Sequence, residues 1–141
     1  MGRLLAFDYG LKRVGIAVTD PLQIIANGLT TIHTSEVFNF LENYLKTEKV
    51  DEFIVGIPKR LNNTDTHLTQ HLVGFTRKLQ QKYPHIPIKQ IDERFTSKMA
   101  FQTMIVAGLN KKQRSNKELI DKISATIILQ SYLEQRNNLN K

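Results

Sequence analysis

Leu4-Leu5-Ala6-Phe7-Asp8-Tyr9-Gly10-Leu11-Lys12-Arg13-Val14-Gly15-Ile16-Ala17-Val18-Thr19-Asp20 begins the chain with two apolar runs separated by a short basic turn. Arg3 to Asp8 and Val14 to Thr19 have strand composition, and Gly10-Leu11-Lys12-Arg13 can reverse the chain between them. Gly10 suits the turn and Gly15 a close packing contact. Asp20-Pro21 ends the second strand, because proline restrains its predecessor and donates no backbone hydrogen bond. A third strand is expected over about Gly28 to His33, which makes an antiparallel meander. Asp8 stands where the first strand gives out. A lone strand-end Asp is commonly a turn former, so its meaning depends on which other acids the fold brings to it.

Beyond the meander the apolar period changes. Val37, Phe40, Leu41, Tyr44 and Leu45 recur at helical spacing behind Thr34-Ser35, a suitable cap. Phe53-Ile54-Val55-Gly56-Ile57 is wholly apolar, as expected of a strand buried on both faces, and Pro58 closes it. Leu68, Leu72, Phe75 and Leu79 mark a second helix starting near Asp65, and Ile88 to Asp92 a fifth strand. Thr96 can cap a third helix carrying Ala100, Met104 and Ala107 and stopped by Gly108. Ser115-x-x-Glu118 has capping-box spacing and starts a last helix reaching about Arg136. The order β-β-β-α-β-α-β-α-α predicts an α/β fold, a five-stranded mixed sheet with helices on its faces. That is the element order of RNase H-like domains. With no repeat or linker, residues 1–141 read as a single domain.

The chain carries 20 Lys and Arg against 13 Asp and Glu, a net charge of +7 that favours a polyanionic partner. There is no Cys, which excludes disulfides, thiolate nucleophiles and cysteine metal sites. No apolar run approaches the roughly 18 residues of a membrane span. The N-terminus meets Asp8 before a signal-peptide core can form, so a cytoplasmic protein is expected.

Two further acids compete for attention. Asp92-Glu93 lies at the C-terminal end of the fifth strand, where ligands gather in crossover sheets. The two point to opposite sides if the strand continues, so one of them faces Asp8. Asp121, in the last helix, shares a face with Ser124, Ala125, Ile128 and Tyr132. A first-turn Asp suits the helix dipole, but that does not explain an acid on an apolar stripe. Converging carboxylates repel unless a cation binds them. Oxygen ligands without His or Cys suit Mg²⁺ or Mn²⁺, and two such ions can activate water and stabilise the leaving oxygen of a phosphodiester.

Four motifs resemble the YqgF family of RNase H-fold nucleases, whose members are called Holliday junction resolvases or pre-16S rRNA nucleases. They are Asp8-Tyr9-Gly10-x-x-Arg13-x-Gly15-x-Ala17-x-x-Asp20, Val55-Gly56-Ile57-Pro58, Asp92-Glu93-Arg94-x-Thr96 and Asp121-x-x-Ser124-Ala125-x-x-Ile128-Leu129-Gln130, in register over nearly the whole chain. The resemblance implies that Asp8, Glu93 and Asp121 are the metal-binding catalytic acids. It also implies processing of the 5′ end of pre-16S rRNA, with cleavage of four-way DNA junctions as the alternative. In one departure, Leu61-Asn62-Asn63-Thr64 stands where the family usually has a glycine.

Candidate phosphate-binding groups are Lys12 and Arg13 in the turn, Lys59 and Arg60 after the fourth strand, and the cluster Lys111, Lys112, Arg114 with Lys117. Each reads equally as a solvated loop. His67 and His71 have metal-capable i, i+4 spacing but read as surface helix positions, and Phe38, Phe40, Phe53, Phe75, Phe95 and Phe101 as packing rather than a base-stacking platform. Two other classes fit parts of the pattern: a nucleotide-binding domain of the actin/hexokinase kind, for which one lobe is too little, and a scaffold that binds nucleic acid without cutting it. Symmetric junction cleavage favours a C₂ homodimer, whereas end processing needs none, so the chain is expected as a monomer or homodimer.

Overall fold

The computed structural model describes residues 2–57, 66–92 and 116–139. Within them the opening hairpin consists of β1 (Arg3–Tyr9) and β2 (Arg13–Thr19), followed by β3 (Ala26–His33), α1 (Val37–Thr47), β4 (Val50–Ile57), α2 (Thr66–Lys82), β5 (Ile88–Asp92) and α3 (Lys117–Leu139). The strands form one sheet in the order β3-β2-β1-β4-β5. β1, β2 and β3 pair antiparallel, as the short connections require, while β1 with β4 and β4 with β5 pair parallel across the crossovers. The five-stranded mixed sheet is the one expected. The helix anticipated from Thr96 to Gly108 lies outside the described residues.

Strand alternation sorts the side chains onto two unlike faces. Leu5, Phe7, Val14, Ile16, Phe53 and Val55 pack with Val37 and Leu41 of α1 and Leu72, Phe75 and Leu79 of α2. Large side chains fill that layer, and Phe7 meets Phe75 edge-on with ring centroids 5.4 Å apart. The opposite face carries Leu4, Ala6, Ala17, Ala26, Ile54 and Ile91 beneath Ala125, Ile128, Leu129 and Leu133 of α3. Its central strands are floored with small residues, so α3 sits down on the sheet backbone. A Cβ built on Gly15 would lie 2.0 Å from the Asp121 carbonyl oxygen, whereas one on Gly28 would meet side chains alone, Lys122 Cγ at 2.8 Å and Thr126 Oγ1 at 3.1 Å.

Several boundaries differ from the sequence reading for identifiable reasons. β4 begins at Val50, three residues before the apolar run, because its two acids are satisfied at the sheet's end. Asp51 accepts from the Gly2 amide at 2.9 Å, and Glu52 from the Tyr132 hydroxyl at 2.5 Å. A 3-10 turn, Thr34–Glu36, precedes α1. Its cap is the His33 ring, which accepts from the Ser35 amide, while the Thr34 hydroxyl donates to the Gly10 carbonyl at 2.8 Å. Asn116 caps α3, its Oδ1 accepting from the Glu118 and Leu119 amides, so the helix starts at Lys117; Ser115 is outside the described residues.

Burial, and then the hydrogen bond to Glu52, push the Tyr132 phenol up to about 12. A phenol whose folded value is raised keeps its proton after the unfolded chain has lost its own, so its contribution is complete below pH 10 and lost as pH rises toward about 12. Wild type should lose stability across that window more steeply than Tyr132→Phe, and parallel urea titrations at pH 9 to 12 check it. Gly15→Ala drives a methyl into backbone and should cost about 3 kcal/mol. Gly28→Ala, facing the Lys122 and Thr126 side chains rather than backbone, should cost about 1 kcal/mol. Urea unfolding of both variants measures the contrast.

Candidate functional site

Leu4 and Ala6 are buried beneath α3, and Asp8 is the next residue of the same parity on β1. Asp8 pairs across the ladder with Gly15. The Asp121 backbone rests on Gly15, so the two acids are brought to one side of the sheet by one contact. Both line a cleft of about 410 Å³ whose remaining walls include Tyr9, Lys12, Arg13, Leu68 and Lys117.

Three elements fix this arrangement. The hairpin turn is held from α1's approach, where the Thr34 amide donates to the Lys12 carbonyl at 3.0 Å and its hydroxyl to Gly10. The first turn of α3 is tied to β3 by the Thr31 hydroxyl, which donates to the Glu118 carbonyl at 2.6 Å. Arg13 supplies the third restraint. Its Nε donates to Asp121 Oδ2 at 2.8 Å, with side-chain exposures of 33% and 22%. At such exposure the pair adds about 1 kcal/mol or less to stability. Its consequence is positional: a guanidinium holds the Asp121 carboxylate in the cleft and offsets its charge beside Asp8.

Among the sequence candidates, the structure therefore brings Asp8, Asp121, Lys12 and Arg13 together. Arg13 is the first residue of β2, not a turn residue, and shares the parity of Gly15 and Ala17, which explains why it reaches α3. Lys12 is exposed on the cleft wall. Asp20 lies at the other end of β2 and serves its own loop. It accepts from the Leu22, Ile24 and Ile25 amides, which hold its carboxyl below the usual range. Glu93, Lys59, Arg60, Lys111, Lys112 and Arg114 fall outside the described residues. Among those described, no group of three or more His, Cys, Asp and Glu could hold a metal. His71 is exposed on α2. The sequence reading passed over Tyr9 as a wall of the cleft and over the Arg13–Asp121 pair, though the alternation of β2 signals the latter.

Two carboxylates converging with Lys12, Arg13 and Lys117 offer hard oxygen donors beside groups that attract phosphate. No helix among the described residues is long and apolar enough to cross a membrane. Comparison with known proteins gives the same direction. A relative from Bacteroides fragilis named "Putative pre-16S rRNA nuclease" is 53% identical over 136 residues, 96% of this chain and 99% of the relative. Another of that name from Christiangramia forsetii is 53% identical over 133 residues, 94% of this chain and 98% of the relative. Among solved structures, RuvC of T. thermophilus in complex with a Holliday junction substrate superposes with a TM-score of 0.59 at 13% identity, covering 98% of this chain and 97% of that one. The fowlpox virus Holliday junction resolvase reaches 0.50 at 14% identity, covering 94% and 99%. At such identities these two establish the fold, RNase H-like as the element order suggested. Residues 2–135 match the model of the RuvX family, described as Holliday junction resolvase, and the chain belongs to that family.

Proposed function

We propose that this protein is a divalent-metal-dependent nuclease that trims the 5′ end of precursor 16S rRNA in ribosome biogenesis, its 141 residues serving one catalytic domain. The observation that carries the proposal is the convergence of Asp8 and Asp121 in one cleft rimmed by Lys12, Arg13 and Lys117. The names of relatives at 53% identity supply the substrate class. Glu93 is proposed as the third acid. Ile91, two residues before Glu93 in sequence, is buried beneath α3, on the face of the sheet that carries Asp8.

The donor set fits Mg²⁺ or Mn²⁺: carboxylate oxygens only, and cations nearby to balance a phosphate. Asp8, Asp121 and Glu93 would hold the metal, as a pair of ions by the two-metal logic of phosphodiester cleavage, and bound there it would supply an activated water and charge stabilisation at the leaving oxygen. Arg13 orients Asp121. Lys12 and Lys117 bind phosphates flanking the scissile bond, with Lys59, Arg60, Lys111, Lys112 and Arg114 extending that contact along the strand. The family description favours a second substrate, four-way DNA, which requires two sites related by C₂ symmetry.

Asp8→Asn, Asp121→Asn and Glu93→Gln should each lower the cleavage rate about a thousandfold while leaving thermal stability and strand binding near wild type. Asp92→Asn should cost less than tenfold. The assay compares a precursor leader RNA and a four-way junction side by side in Mg²⁺ and in chelator. Full activity of Asp8→Asn, or of wild type in chelator, would contradict the reading.

A further inference from the structure

A second groove, about 480 Å³, lies on the other face of the sheet at the same end, between the hairpin turn, the start of α1 and the middle of α2. Tyr9 lines this groove and the acidic cleft alike. The two therefore adjoin at Tyr9, at the end of β1. Thr34, in the groove wall, bonds the turn that carries Lys12.

The groove has the chemistry of a nucleotide seat. Tyr9 lies over Phe75 with ring centroids 4.7 Å apart and planes 31° from parallel, and Phe38 flanks the same ring at 5.6 Å. Lys78 places its ammonium 4.4 Å from the Phe38 ring centre and Lys82 its own at 5.3 Å, so two cations stand at an aromatic wall, of which Lys78 lines the groove. Bases of any sequence stack on such rings, and the ammonium suits the adjoining phosphate. Gly74 is the telling residue. Glycine disfavours a helix interior, and packing does not require it here, because a Cβ at this position would meet nothing within 4 Å. What glycine preserves is the open volume of the groove it lines.

We infer that this groove binds a single-stranded nucleotide of the substrate, next to the bond cut in the Asp8–Asp121 cleft. The flanking strand turns around the end of β1, its base against the Tyr9–Phe38 wall and its phosphate at Lys78. Charge complementarity with a chain of net charge +7 and the wall shared with the cleft at Tyr9 select a polynucleotide over an apolar partner. The inference rests on the nuclease reading for its position in the substrate, not for the binding itself.

The test uses the full chain and short fluorescent single strands of RNA and of DNA, with binding read by anisotropy in chelator and cleavage read separately in Mg²⁺. Gly74→Leu fills the groove from a helix position that favours leucine, and Lys78→Glu reverses its charge. Each should weaken binding at least fivefold and raise KM with kcat unchanged. Lys46→Glu, the same charge change on exposed α1, should shift binding less than twofold, and circular dichroism confirms that every variant is folded. Gly74→Leu and Lys78→Glu binding like wild type while cleaving normally would overturn the groove and leave the nuclease reading standing. Loss of binding in both, with no cleavage by wild type, would retain the groove and remove the nuclease reading. Wild type binding neither strand would overturn the groove, with the nuclease reading decided by cleavage alone.

Discussion

A contact between backbone and backbone holds this structure's working parts in place: the Asp121 peptide group lies against Gly15, closer than any side chain would allow. Everything at the cleft follows from it. Gly15 faces Asp8 across the β1–β2 ladder, so a helix lowered onto Gly15 delivers its own acid beside the strand's. The floor of Ala6, Ala17 and Gly15 lets α3 approach, while the face bearing Phe7, Ile16 and Phe53 keeps α1 and α2 at ordinary side-chain distance. The two layers of one sheet are thus built to different depths, and the shallower one carries the carboxylates.

Placing two carboxylates together raises the energy of both unless positive charge is supplied. Arg13 meets part of that requirement from within the chain, through Nε on Asp121 Oδ2. Lys12 and Lys117 stand at the rim, where solvent screens them and a polyanion can reach them. This division assigns the buried side of the cation set to positioning and the exposed side to substrate. It also accounts for an excess of basic residues around an acidic cleft, a combination that neither a purely metal-storing nor a purely strand-binding surface would need.

Much of this was legible in the residues. The apolar runs at Leu4 to Phe7 and Phe53 to Ile57 and the Pro21 and Pro58 breaks suffice for the strands and the mixed sheet, though not for the strand order, and four motifs in register suffice for the family. The boundaries that went astray did so where polar atoms are satisfied at long range. Asp51 and Glu52 look unlike strand interior until Gly2 and Tyr132 are seen to bond them. Thr34 looks like a helix cap but bonds the hairpin turn 24 residues earlier in sequence. Such partners are set by the packing of distant elements, which no local pattern contains. Arg13 is the instructive case, since its role required only that β2 begin one residue sooner than its apolar composition suggests.

The central claim is that Asp8 and Asp121 are two legs of one divalent-cation site. Anomalous diffraction from crystals soaked in Mn²⁺ tests it without depending on any substrate. The account predicts an anomalous peak within bonding distance of both carboxylates in wild type, absent from Asp8→Asn crystals. Manganese bound only elsewhere, such as at His71, or a peak at Asp121 that survives Asp8→Asn unchanged, would contradict it.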